Sequence, residues 1–217
     1  MIGKIKEFNF KSLLILNTFA LIFTSFFFNN FIIVGFYTLF FFISLFTTKN
    51  GLKIIKKLNL LQTIRVEGPA SHFKKSETPT MGGIFMITPF LILLLIISIN
   101  SDSQKLFLLF FSIFGFFITG FLDDYLSIKN KENTGLTTKE KFFLQSIISI
   151  IFIFFAYEKD LINPLITVSE SWEINMNIFI LPISFLVLVG MSNSVNLTDG
   201  LDGLAAGCSG IVFYGLG

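Results

Sequence analysis

The sequence holds one cysteine, one histidine and one arginine among 217 residues, and only 14% of it is charged. Each scarcity closes a route. The lone thiol, Cys208, has no intramolecular disulfide partner, and its place after small residues at the start of an apolar run reads as a buried, inert side chain. One His and one Cys exclude a zinc site or a Cys–His catalytic pair, and no P-loop, CxxC or HExxH string occurs. The charge content lies well below the roughly 25% of a soluble globular chain. A net charge of +2 and a pI of 8.6 are too mild for nucleic-acid binding, and the basic residues are dispersed between apolar runs. Carboxylates, lysines and hydroxyls are the remaining chemical equipment.

What abounds is apolar. The chain is 53% hydrophobic with 31 Phe and a mean hydropathy of +0.79. Its runs are apolar on every face for longer than the alternating strands of a membrane barrel, so the fold class is all-α, a polytopic helical membrane protein. A spanning helix needs about 20 mostly apolar residues, because its backbone polar groups must be satisfied internally. Pro79 to Ile99, Lys105 to Leu122, Phe142 to Tyr157 and Ile178 to Met191 approach that length, and a further apolar stretch runs from Leu204 to Gly217. In the first 48 residues, Ser12 to Phe28 and Phe31 to Phe46 are separated only by Asn29 and Asn30. One span preceded by an apolar surface segment is the favoured reading there. Lys4, Lys6 and Lys11 precede that segment without a small-residue cleavage site, so it is read as retained. Residues 1–217 thus form a single transmembrane domain of about five spans plus an incomplete sixth.

Lys and Arg in short loops are held on the cytoplasmic side. Residues 49–78 carry Lys49, Lys53, Lys56, Lys57, Arg65, Lys74 and Lys75, and 123–141 carry Lys129, Lys131, Lys139 and Lys141. Counting alternately, the loops at 49–78, 123–141 and 192–203 are cytoplasmic, whereas 100–104 and the acidic 158–177 lie outside. The unusual polar segments therefore collect on one face.

Asp123 and Asp124 follow the end of an apolar run, where the predicted helix would present its negative C-terminal dipole. Adjacent carboxylates there repel each other, and a divalent cation would relieve them; oxygen-only ligands beside a phosphate suit Mg²⁺. An acidic pair solvated at the interface, or matched to nearby lysines, is the competing explanation for these two residues alone. Asn193, Asn196, Asp199 and Asp202 recur every three residues, interleaved with Gly200 and Gly203, which argue for a turned backbone. Carboxamides and carboxylates on such a turn suit a nucleotide base or ribose, and Asp199 could also lie near a metal. Asp202 also fits the N-cap of the next helix. Around His72, Lys74, Lys75 and Thr78-Pro79-Thr80, Pro79 is predicted at a first helical turn with Thr78 as cap, and Lys75 is a candidate anion contact. His72 alone reads as a surface histidine.

HFKKSETPTMGG, GFLDDY with a downstream GLTTKEK, and NSVNLTDGLDGLA, in that order and with this membrane spacing, resemble the phospho-N-acetylmuramoyl-pentapeptide transferases of the polyprenyl-phosphate glycosyl-1-phosphate transferase superfamily. The likeness covers roughly residues 31–217. It implies a bacterial inner-membrane enzyme whose cytoplasmic site, with Mg²⁺, joins UDP-N-acetylmuramoyl-pentapeptide to undecaprenyl phosphate, giving lipid I and UMP for peptidoglycan synthesis. It implies further that Asp123 and Asp124 are catalytic, Asp123 deprotonating or orienting the lipid phosphate and Asp124, with Asp199, near the metal. Lys75, Lys141, Asn196, Asp199 and Asp202 are the implied substrate contacts. The likeness is compatible with a homodimer.

Two departures stand out. Glu77 replaces a Gly common before TPTMGG, adding negative charge near an anion site. Family members also continue through further spans that carry another metal-binding Asp and a histidine-rich loop, so the sequence is expected to be a fragment or a truncated product. The rivals are a related sugar-1-phosphate transferase using another UDP-sugar, an inactive remnant, and a membrane transporter.

Overall fold

The computed structural model describes residues 31–60, 79–130, 135–169, 172–199 and 204–216. The elements run in order α1 (Phe31–Lys57), α2 (Gly83–Asn100), α3 (Gln104–Asn130), α4 (Thr138–Glu158), β1 (Leu165–Ser169), β2 (Trp172–Asn175), α5 (Ile180–Thr198) and α6 (Leu204–Leu216). Four helical segments among them are long and apolar enough to cross a membrane: 83–100, 104–130, 138–158 and 177–198. The all-α membrane architecture expected above is what the chain adopts. Ser12 to Phe28 lies outside the described residues, and α1 extends the Phe31–Phe46 run without a break as far as Lys57.

Each helix packs on its neighbour in sequence, α1 on α2, α2 on α3, and so on to α6. Lipid tails are as apolar as Leu, so burying apolar side chains between helices gains little, and close backbone approach and hydroxyl contacts do the joining. A Cβ at Gly51 would overlap the Phe85 ring, and one at Gly115 would press on Ile148, so these glycines let α1 meet α2 and α3 meet α4. The Thr47 hydroxyl adds a contact of 2.9 Å to the Phe85 carbonyl. The interior accordingly mixes Leu91, Leu94, Ile153 and Val189 with buried Ser98, Ser112, Thr119, Gln145 and Ser149, while many Ile and Phe side chains point outward.

Three helices end alike. Asn59, Asp102 and Asp160 adopt left-handed φ of 53°, 46° and 52° after α1, α2 and α4. The following N–H returns to the carbonyl five residues back in each: Leu60 to Ile55, Ser103 to Ser98, Leu161 to Ala156. Asn and Asp thus serve where Gly is more usual.

Several predicted boundaries move. α3 does not stop at Leu122 but continues to Asn130, so Asp123 and Asp124 sit about two turns inside its C-terminus and the dipole argument fails. α5 likewise continues to Thr198, making Asn193 and Asn196 helical instead of part of a Gly-broken turn. The described parts of the polar segments, 123–130, 135–141 and 192–199, are therefore largely helix ends projecting past the apolar spans. α2 starts at Gly83, capped by no side chain, and Pro79 lies in an extended bridge instead of a first helical turn. Pro89 stands inside α2, where neighbouring helices make its lost hydrogen bond tolerable. A small antiparallel hairpin, pairing Ile166 with Ile174 and Thr167 with Glu173, occupies the 158–177 connection that was read only for its charge.

Candidate active site

Asp123 and Asp124 are neighbours on α3, so their side chains leave the helix about 100° apart and reach different partners. Asp123 faces α4. Its Oδ2 accepts from Lys141 Nζ at 2.6 Å and its Oδ1 from the backbone N–H of Leu136 at 3.0 Å. Gly135 makes the second bond reachable, because any Cβ there would overlap the Asp123 carbonyl. Asp124 faces the segment before α2. Its Oδ2 accepts from the Met81 N–H at 3.1 Å, with the Thr80 side chain as a further partner. Met81 presents that N–H from a left-handed φ of 64°, a conformation that costs a residue with a Cβ roughly 1–2 kcal/mol. The Thr80 N–H is held in turn by the Leu60 carbonyl at 3.1 Å, which ties this segment to the end of α1.

Lys141 owes its position to the start of α4. Thr137 caps the helix with its hydroxyl on the Glu140 N–H, and the Glu140 carboxylate returns to the Thr137 N–H at 2.8 Å, a complete capping box. One turn further along the same face, the Gln145 side chain reaches α5. Its Nε2 donates to Ser192 Oγ at 3.1 Å and its Oε1 accepts from Asn193 Nδ2 at 2.8 Å. Asn196 follows in the last turn of α5, and Asp199 caps its end.

Asp123, Asp124, Lys141, Gln145, Asn196 and Asp199 line one cavity of about 320 Å³. A larger cavity of about 550 Å³ opens at the opposite end of α3 and α4, between Asp102, Phe107, Phe111, Phe155 and Lys159. It is mostly apolar and has no comparable cluster of carboxylates, so the smaller cavity is the better match to phosphate chemistry. The predicted residues Asp123, Asp124, Lys141, Asn196 and Asp199 are thus brought together, whereas Lys75 and Asp202 lie outside the described residues. Asp123 and Asp199 share one side, against the arrangement a transporter pathway would require.

Among the described residues no three His, Cys, Asp or Glu side chains converge as a ready metal cage. The cavity nonetheless sets three carboxylates, which are hard oxygen ligands, against one ammonium, and Mg²⁺ needs only one or two carboxylates when phosphates supply the rest. The donor set fits that ion. Sequence reasoning missed Gln145, Gly135 and the Leu136 and Met81 N–H groups; a carboxamide within an apolar run was the one visible signal among them.

Comparison with known proteins identifies the family. A family model described as glycosyl transferase family 4 matches residues 106–217. The chain is 83% identical over all 217 residues to a phospho-N-acetylmuramoyl-pentapeptide-transferase of Prochlorococcus marinus strain MIT 9312, and 80% identical to that of strain MIT 9301, covering 61% of each. A protein of the same name from Oceanobacillus iheyensis is 40% identical over 162 residues, 73% of this chain and 50% of that one. The chain therefore spans about three fifths of the length of the first of these relatives.

Proposed function

The chain belongs to glycosyl transferase family 4, and from that premise we propose that it forms the cytoplasmic-face substrate site of a phospho-N-acetylmuramoyl-pentapeptide transferase. The donor is UDP-N-acetylmuramoyl-pentapeptide, the acceptor undecaprenyl phosphate, and the products lipid I and UMP. The observation that carries this reading is the meeting of Asp123, Asp124, Lys141, Asn196 and Asp199 in one polar cavity at a single end of apolar helices. One reactant is water-soluble and the other is held in the bilayer, so a site at the membrane surface is where both are available. The high identity to relatives of that name favours this donor over another UDP-sugar.

In the transfer, a phosphate oxygen of the lipid attacks the β-phosphorus of the donor, and the bond from that phosphorus to the UMP oxygen breaks, with its electron pair leaving on UMP. Two anions must approach, so positioning and charge neutralisation do most of the work. Lys141 is the cationic group at hand. Both Asp123 oxygens already have donors, so Asp123 becomes a base toward the lipid phosphate only as Lys141 transfers its hydrogen bond to that phosphate. Until then it orients Lys141. Asp124 and Asp199 would hold Mg²⁺, which when bound supplies the charge neutralisation that one lysine does not. Asn196 and Asp199, at the C-terminal end of α5, face the nucleotide end, and Lys75 and Asp202 are the further proposed anion and nucleotide contacts.

Asp123→Asn and Asp199→Asn, introduced separately into the complete gene product in bacterial inner membranes, should each lower UMP release at least about a hundred-fold. Turnover that is unchanged in both, or a wild-type preference for UDP-N-acetylglucosamine in competition with the pentapeptide donor, would reject the reading.

A further inference from the structure

Building on the transferase reading, we propose that Gln145 is a positioning residue that fixes the nucleotide end of the site against its phosphate end. The two ends stand on different helices, Asp123 and Asp124 on α3, Asn196 and Asp199 on α5. These helices pack on α4 rather than on each other, so α4 is the spacer that sets their separation. Its contacts to the two sides lie one turn apart on one face. Lys141 grips Asp123 of α3, and Gln145, four residues on, grips α5.

The grip on α5 is two-pronged. The Gln145 amide donates to Ser192 and accepts from Asn193, two successive residues, so it opposes both sliding and rotation of α5. Asn193 Nδ2 also donates to the Val189 carbonyl at 2.9 Å, so the same amide group is bonded both to Gln145 and to its own helix. Gln145 is only 4% exposed, in a helix that is otherwise largely apolar at this depth. A buried amide costs free energy unless its hydrogen bonds are made, so the network holds best in one register. Asn193 is joined to Asn196 by a single helical turn, and any displacement at Asn193 is carried to the nucleotide end. A displaced contact to the nucleotide weakens binding of that substrate, so the loss falls on its KM.

The test is steady-state kinetics of the complete gene product in membranes, with the two substrates varied separately. Gln145→Leu keeps the bulk and loses both bonds; it should raise KM for the nucleotide-sugar about ten-fold and leave KM for the lipid phosphate within about two-fold. Gln145→Glu retains oxygens that accept from Asn193 and from the Ser192 hydroxyl, and should recover the nucleotide-sugar KM to within about three-fold of wild type. Asn193→Leu should resemble Gln145→Leu, and the double variant should be no worse than either single one. Unchanged KM values, equal changes for both substrates, or losses that multiply in the double variant would overturn the proposal. If Gln145→Leu does not accumulate, Ser192→Ala carries the test, with an expected rise of about three-fold in the same KM and no change as the refuting result. Failure here is separable from failure of the transferase reading. In the first case Asp123→Asn and Asp199→Asn still lower UMP release at least about a hundred-fold; in the second they leave it unchanged.

Discussion

A methyl group on residue 135 would overlap the carbonyl of Asp123, and the N–H that follows it is the donor to Asp123 Oδ1. Gly135→Ala should therefore push the 135–137 segment away and leave Asp123 tethered by Lys141 alone. The expected outcome is a loss of turnover of about a hundred-fold with normal accumulation in membranes, read by UMP release and immunoblot. Turnover equal to wild type would show that the Leu136 N–H has no part in orienting the carboxylate. At this scale the sequence was legible where side-chain type carries the chemistry. Asp123, Asp124, Lys141, Asn196 and Asp199 are polar residues flanking apolar runs, and the structure gathers them in one cavity. Gln145 was not legible, because its partners lie 47 and 48 residues away. Met81 and Leu136 act through backbone N–H groups, which every residue except Pro possesses.

At the level of elements, helix ends position the site, and hydropathy is a poor guide to them. Apolar runs mark where lipid stops; a helix continues as long as its backbone bonds do. Tyr125, Leu126 and Ile128 follow the Asp pair and carry α3 two further turns, which sequence periodicity at a polar boundary did not separate from a loop. Thr137 and Glu140 carry a capping-box pattern, TTKE, that the reading of the apolar runs passed over, and it fixes the first turn of α4, hence Lys141. Thr137→Ala should destabilise the folded protein by about 1 kcal/mol while Thr137→Ser should be near neutral. Thermal unfolding in detergent reads the difference, and equal midpoints for the two variants would contradict a capping role. The hairpin was missed because Ile166, Thr167 and Ile174 were weighed as parts of an acidic connection and not as β-branched residues favouring a strand.

Across the described residues, the two cavities named above lie at opposite ends of α3 and α4. Gln104 lines one and Asp123 the other, 19 positions apart along α3, or about 28 Å, close to the thickness of a bilayer core. Lys49, Lys53, Lys129 and Lys139 are exposed on the Asp123 side, consistent with that side being cytoplasmic. Cys208 is exposed, not buried as its sequence context suggests, so in a Cys208→Ala background Ser101→Cys should react with a membrane-impermeant maleimide in intact cells freed of outer barriers, and Lys139→Cys only after permeabilisation. The reverse pattern would invert the topology and detach the site from the compartment that holds nucleotide-sugars.

The neighbour-by-neighbour packing has a bearing on biogenesis. Among the described residues the helices pack chiefly on the segment just before them in the chain and require little long-range search, so each can dock as the ribosome delivers it to the bilayer. The spacer helix arrives before α5, and its capped start and buried amide are already in place to receive the side of the cavity that α5 supplies.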